Sequence, residues 1–112
     1  MEARAKAKHI RSSARKVRQV LSLIQGQSVE GAEDTLRLTN RPVARRVRKV
    51  LKSAVSNAVD RGDDVDTDKL RVKAATADAG PTLKRWLPRA RGRATPMLCR
   101  TCHITIVVTD EA

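Results

Sequence analysis

The sequence reads as an α+β chain, and three observations carry that reading. Residues 2–10, EARAKAKHI, alternate small apolar with basic side chains. Residues 42–60 place apolar groups at helical spacing. The C-terminal run HITIVVT alternates again, with β-branched residues. A period of two marks a half-buried strand and a period near 3.6 an amphipathic helix. Taken in order, the elements run β-α-α-α-β-β.

In the first strand Ala3, Ala5 and Ala7 fall on one side and Arg4, Lys6 and Lys8 on the other, giving one buried and one basic face. Ser13 is placed to cap a helix whose apolar positions are Val17, Val20, Leu21 and Ile24, with Gly26 as its C-terminal stop. Ser28 caps a second, shorter helix through Val29, Ala32 and Leu36, weakened by Gly31. Asn40 and Pro42 open a third. Its apolar face collects Val43, Val47, Val50, Leu51, Ala54, Ala58 and Val59, and it stops at Gly62. Residues 63–68 form an acidic loop. Residues 69–78, KLRVKAATAD, set Leu70, Val72 and Ala74 against Lys69, Arg71 and Lys73 as a second strand. The third strand lies within residues 97–109, with Ile104, Ile106 and Val108 on one face.

Charge narrows the function. The 112 residues carry 24 Lys plus Arg against 12 Asp plus Glu, a net +12. Residues 1–18, 41–52 and 80–103 each carry +6, separated by acidic stretches at 26–40 and 60–68. One basic block is commonly a solvated face. Three of them point to a polyanion, most often nucleic acid. Residues 1–10 are charged throughout, so they lack the apolar core of a secretory signal. No apolar run approaches the ~20 residues of a spanning helix. The expected location is therefore the cytoplasm, with reduced thiols.

Residues 80–96, GPTLKRWLPRARGRATP, lie between the second and third strands and contain Lys84, Arg85, Arg89, Arg91 and Arg93 with no acid. If those strands pair antiparallel, this segment is the far end of a long hairpin. A two-stranded ribbon of that kind does not hold itself together in water. Two readings fit: a disordered basic loop, or an extension ordered by a polyanion. The preference for Arg over Lys favours RNA, because the guanidinium fork matches phosphate and stacks on bases. With one Trp and no Phe or Tyr, base-by-base readout on an aromatic platform is a poor fit. Shape and phosphate contacts to folded RNA fit better.

Other classes fare worse. Catalysis needs a nucleophile with its base, or paired carboxylates, in one pocket. The chain offers only His9 and His103, and its acids cluster in the 60–68 stretch. A DNA-binding helical module could use Arg45, Arg46, Arg48 and Lys49, but would leave the hairpin idle. A membrane-surface role lacks Trp and Phe anchors on the helices. The run Cys99-Arg100-Thr101-Cys102-His103 has the pattern of a haem attachment site. It sits in an extended strand, offers at most three of the four ligands of a structural zinc site, and lacks the helix N-terminus of a redox dithiol. No metal, cofactor or catalytic residue is expected.

Lys84, then Arg89-Ala90-Arg91-Gly92-Arg93, then His103-Ile104-Thr105-Ile106-Val107-Val108 resembles the family of ribosomal protein L-twenty-two of the bacterial large subunit. So do GPTLKRWLPRARGRA and RTCHITIVV, and upstream AKAKHIRSSARKVRQVLSLIQG, LRLTN and VLKSAVSNAV. The resemblance covers roughly residues 2–109. It implies three helices packed on a small three-stranded antiparallel sheet, one domain over 1–112, and a long protruding β-hairpin over 79–98. It implies binding to 23S rRNA beside neighbouring large-subunit proteins, as a monomer within the ribosome, with the hairpin tip lining the nascent-peptide exit tunnel. By position, the tip is Trp86, Leu87, Pro88, Arg89, Ala90, Arg91, Gly92 and Arg93. In the family, changes in this loop can confer macrolide resistance. The expected RNA-binding set is Arg4, Lys6, Lys8, Arg11, Arg15, Lys16, Arg18, Lys84, Arg85, Arg89, Arg91, Arg93, Arg100 and His103. Cys99 and Cys102 stand where the family usually carries a basic residue and a serine.

Overall fold

The computed structural model describes residues 2–61 and 67–110. The elements are β1 (Glu2–Ile10), α1 (Ala14–Leu21), α2 (Val29–Leu38), α3 (Pro42–Arg61), β2 (Arg71–Ala79), β3 (Leu83–Pro88), β4 (Ala94–Cys99) and β5 (Cys102–Thr109). The fold is α+β. β1, β5 and β2 form an antiparallel sheet in that spatial order, and β3 pairs antiparallel with β4 as a separate two-stranded ribbon.

β5 is the middle strand. Cys102, Ile104, Ile106 and Val108 on one of its faces are fully buried, as the alternation predicts. From β1 they meet Ala3 and Ala5, and from the helices Val17, Val20, Leu21, Leu36, Val47 and Leu51. No aromatic ring enters the core. Alanines at Ala44, Ala54 and Ala58 line the buried face of α3, and small side chains let helix and sheet approach closely. Val59, expected on that face, is 47% exposed, whereas Ala44 is buried. The expected stop at Gly62 and most of the acidic loop lie outside the described residues.

α1 starts where expected, with the Ser13 hydroxyl accepting from the Lys16 N–H. It ends at Leu21 rather than near Gly26. Residues 22–27 continue as tight turns, with the Leu23 N–H on Val20 and the Ile24 N–H on Leu21. Gly26, in the left-handed region at φ 78°, then donates to the Val72 carbonyl, and Val72 donates to Gln27. The strand-like pairing wins because it satisfies backbone groups at the start of β2.

β2 departs from simple alternation. A bulge between Val72 and Ala74 sets Val72 opposite Val108 and Ala74 opposite Val107. The buried face therefore runs Leu70, Val72, Ala75, Ala77, and Ala74 is only half-buried. A bulge adds one residue to one strand and shifts every later side chain to the other face. β1 carries a second irregularity between Ala7 and Ile10, where His9 has φ 60°.

On each outer strand, two carbonyls accept from side chains of the helical layer or the turns that follow α1. Asn57 donates to the Arg4 carbonyl and Arg61 to the Glu2 carbonyl, both from α3 onto β1. Arg18 donates to the Ala77 carbonyl and Gln25 to the Ala75 carbonyl, onto β2. Lys73 on β2 hydrogen-bonds Glu2 on β1 and places its charge beside it, which holds the Glu2 carboxyl below its usual value.

Ile106→Ala should cost about 3 kcal/mol by removing buried methylenes from the middle strand. Urea unfolding should show this as a lower midpoint at unchanged m. Val59→Ala, on the exposed side of α3, should stay within about 0.5 kcal/mol.

Candidate nucleic-acid interface

The β3–β4 ribbon has no core beneath it. Every residue from Lys84 to Arg100 is exposed, and the molecule measures 66 × 25 × 17 Å along its principal axes. Cross-strand pairs run Leu83–Cys99, Lys84–Leu98, Arg85–Met97, Trp86–Pro96, Leu87–Thr95 and Pro88–Ala94. The tip closes where the Arg89 N–H donates to the Arg93 carbonyl at 2.7 Å. Between them, Arg91 (φ 63°) and Gly92 (φ 68°) both take the left-handed conformation. For Arg91 that costs on the order of 1 kcal/mol. Arg89, Arg91 and Arg93 thus crowd one tight turn, without an acidic partner among the described residues.

The ribbon leaves the main sheet at a fixed root. The Gly80 N–H donates to the Thr101 carbonyl at 2.9 Å, and the Thr101 hydroxyl donates to the Pro81 carbonyl at 2.6 Å. A Cβ at position 80 would lie 2.7 Å from Thr101 Oγ1 and 3.1 Å from His103 Cε1, so only glycine fits without displacing that pair. His103 Nδ1 accepts from the His9 N–H at 3.1 Å, and the two rings meet edge-to-face. The strand expected across 97–109 is therefore broken at Arg100 and Thr101. Strict alternation would put Thr101 opposite Cys102, but both are buried. The turn at the root overrides the pleat. His103, expected to meet RNA, is half-buried and engaged with His9.

Three basic surfaces lie on the body of the molecule, one of them at this root. On the face of the sheet away from the helices, Arg4 stands beside Val107 and Lys6 beside Thr105, and both cations are exposed. A cleft of about 680 Å³ lies between the start of α1 and the ribbon root, lined by residues including Ser13, Arg15, Lys16, Arg41 and Arg100. Arg41 is held there by a 2.9 Å bond to Gln19 Oε1. A second cleft of about 710 Å³ runs along the start of α3 past Arg37, Arg41, Arg45, Arg46 and Lys49. Arg41 lines both. Both clefts are lined by several cations, and neither is lined by an acidic side chain among the described residues.

A family model described as Ribosomal protein L22p/L17e matches residues 5–109. The chain belongs to this family. It is therefore a large-subunit ribosomal protein, a structural rather than catalytic component of translation, located in the ribosome and associated with rRNA. No helix among the described residues is long and apolar enough to cross a membrane.

The expected residues of this family member fall into separate groups. Arg15, Lys16 and Arg100, distant in sequence, meet in one cleft. Arg11 lines a small hollow with Arg46. Arg4, Lys6 and Lys8 sit on β1, and Lys84 to Arg93 on the ribbon. Arg18 has its Nε committed to the Ala77 carbonyl, which makes it partly a strand-edge brace. The expected set omitted Arg41, Arg45, Arg46 and Lys49. The signal is present in the +6 of residues 41–52, of which Arg45, Arg46 and Lys49 enter the sequence reading only through the alternative of a DNA-binding helical module. Cys99 is exposed on β4 while Cys102 is buried on β5, so the two thiols lie in different environments. Burial pushes the Cys102 thiol up, with Arg46 opposing.

Under native conditions a soluble alkylating reagent should label Cys99 quickly and Cys102 only after denaturant is added. Mass spectrometry of the labelled peptides checks this. Gly80→Ala should lower stability by about 1–3 kcal/mol, as for other forced contacts. Its amide shifts should concentrate at Thr101 and His103.

Proposed function

We propose that this chain binds 23S rRNA, supports assembly of the large subunit, and lines the nascent-peptide exit tunnel with the tip of its ribbon. The observation that carries the reading is a coreless two-stranded ribbon, reaching away from a complete domain and loaded with cations at its far end. Such a ribbon gains nothing from its own fold. Its Lys84, Arg85, Arg89, Arg91 and Arg93 gain from a polyanion that surrounds them. The open face of β1 and the clefts at the ribbon root serve as the outer rRNA contact, and residues 79–98 as the part that reaches inward. Neighbouring large-subunit proteins and the nascent polypeptide are its other partners. It acts as a monomer within the cytoplasmic ribosome, and residues 1–112 work as one ribosomal-protein domain. Arg100, in the root cleft, ties the two contact regions together. The family resemblance supports the tunnel assignment of Trp86 to Arg93.

Binding to large-subunit rRNA should weaken steeply with salt. Replacing Arg89, Arg91 and Arg93 together by alanine should reduce the slope of log K against log salt by roughly 2–3, about 0.7–0.9 per lost phosphate contact. A photo-crosslinker at position 91 of assembled ribosomes should label a stalled nascent chain. Crosslinks confined to rRNA would place the tip inside the wall instead.

A further inference from the structure

We infer that Trp86 is a base-stacking anchor: the face of the ribbon that carries it takes an unpaired nucleobase of the folded rRNA. The inference rests on the rRNA-binding reading and adds the residue and the kind of contact.

Directly paired residues of an antiparallel ribbon share a face. One face therefore holds Lys84 and Leu98, Trp86 and Pro96, and Pro88 and Ala94; the other holds Leu83 and Cys99, Arg85 and Met97, and Leu87 and Thr95. The Trp86 face is an apolar strip with a single cation at its root end. Trp86 is 66% exposed and Leu98 51% exposed. The domain's core contains no aromatic ring and reaches its packing with Ala, Val, Ile and Leu. The chain's one Trp thus lies outside the core, in an exposed apolar patch with Pro88, Pro96 and Leu98, and a contiguous exposed apolar patch marks a binding surface.

The charge around it selects the occupant. Lys84 and Arg85 precede Trp86, Arg89, Arg91 and Arg93 follow it, and residues 80–103 carry no acid. Cations on both sides hold a phosphate backbone along the ribbon. Apart from Lys84 at its root end and the indole N–H, the strip between them has no side-chain donors, and it offers an indole plane with proline rings beside it. Base–aromatic stacking suits such a site and is tolerant of base identity. Unpaired bases in loops and bulges of RNA are the ones free to stack on protein. A peptide in the tunnel lumen would gain less from a strip flanked by so many cations. The wall of the tunnel, rather than its lumen, is then where Trp86 points, and the tip turn Arg89–Arg93 is what remains for the lumen.

The test uses the full-length chain and deproteinised large-subunit rRNA, with binding scored separately by filter retention. The chain has one Trp and no Tyr, so its emission reports Trp86 alone. When rRNA binds, that emission should be lost, become protected from acrylamide, and return when salt releases the RNA. Trp86→Ala should weaken binding roughly 5- to 100-fold, and Trp86→Phe should recover most of it. Val59→Ala, on the exposed side of α3 and outside the ribbon, should bind as wild type. Undiminished emission that acrylamide still reaches, with rRNA demonstrably bound, overturns the inference. Protection with a blue shift but no quenching overturns it as well, in favour of an apolar protein-like contact. Failure of the wild-type chain to bind rRNA at all would instead sink the underlying rRNA reading.

Discussion

Everything in this molecule hangs on the middle strand, β5. It pairs with β1 on one side and β2 on the other, and it supplies the four side chains around which the helices pack. It also receives the chain directly from the ribbon, with only Arg100 and Thr101 between the end of β4 and its own start. A pair of strands in isolation is marginal. Three strands with one face covered by helices are not, so the rigidity of β5 is what gives the ribbon a base to project from.

The chain is divided by what it can bury. Residues 2–61 and 70–79, with β5, contain the small aliphatic groups that close into a core. Those from Lys84 to Arg100 contain few, and these stay exposed. The dividing line is the root, where Gly80, Thr101 and His103 fit together so tightly that a single methyl group would not pass. The resulting division of labour is physical: hydrophobic burial shapes the domain, while charge and exposed ring surface are left free on the extension.

Much of the fold was legible in the sequence, because its strongest signals are periodic. The alternation in β1 and β5 and the long apolar face of α3 reflect burial directly. What was not legible depended on pairing. In KAATADA the alanines stand on both faces, and alanine fits either, so local pattern could not show the bulge at Lys73. Pairing with β5 decides it. Gly26 looked like a helix stop because it needs a left-handed backbone; it has one, but uses it to pair with Val72 after α1 has already ended. Strand alternation puts Thr101 on the face opposite Cys102 and Ile104, yet it is buried in the turn at the ribbon root, which alternation does not describe. In the candidate interface, the basic β1 face and the ribbon were visible as charge blocks. The gathering of Arg15, Lys16, Arg41 and Arg100 required the fold, since these positions are up to 85 residues apart.

The side chains that occupy the outer carbonyls of β1 and β2 bear on the chain's life before it is built into anything. A sheet edge with unpaired carbonyls is a template on which another copy can add a strand, and natural proteins guard such edges with charge and covering side chains. Here Asn57, Arg61, Arg18 and Gln25 take up those acceptors from within. On a newly made copy still waiting for RNA, two acceptors on each flank are thus already taken, and the net positive charge of the chain repels other copies.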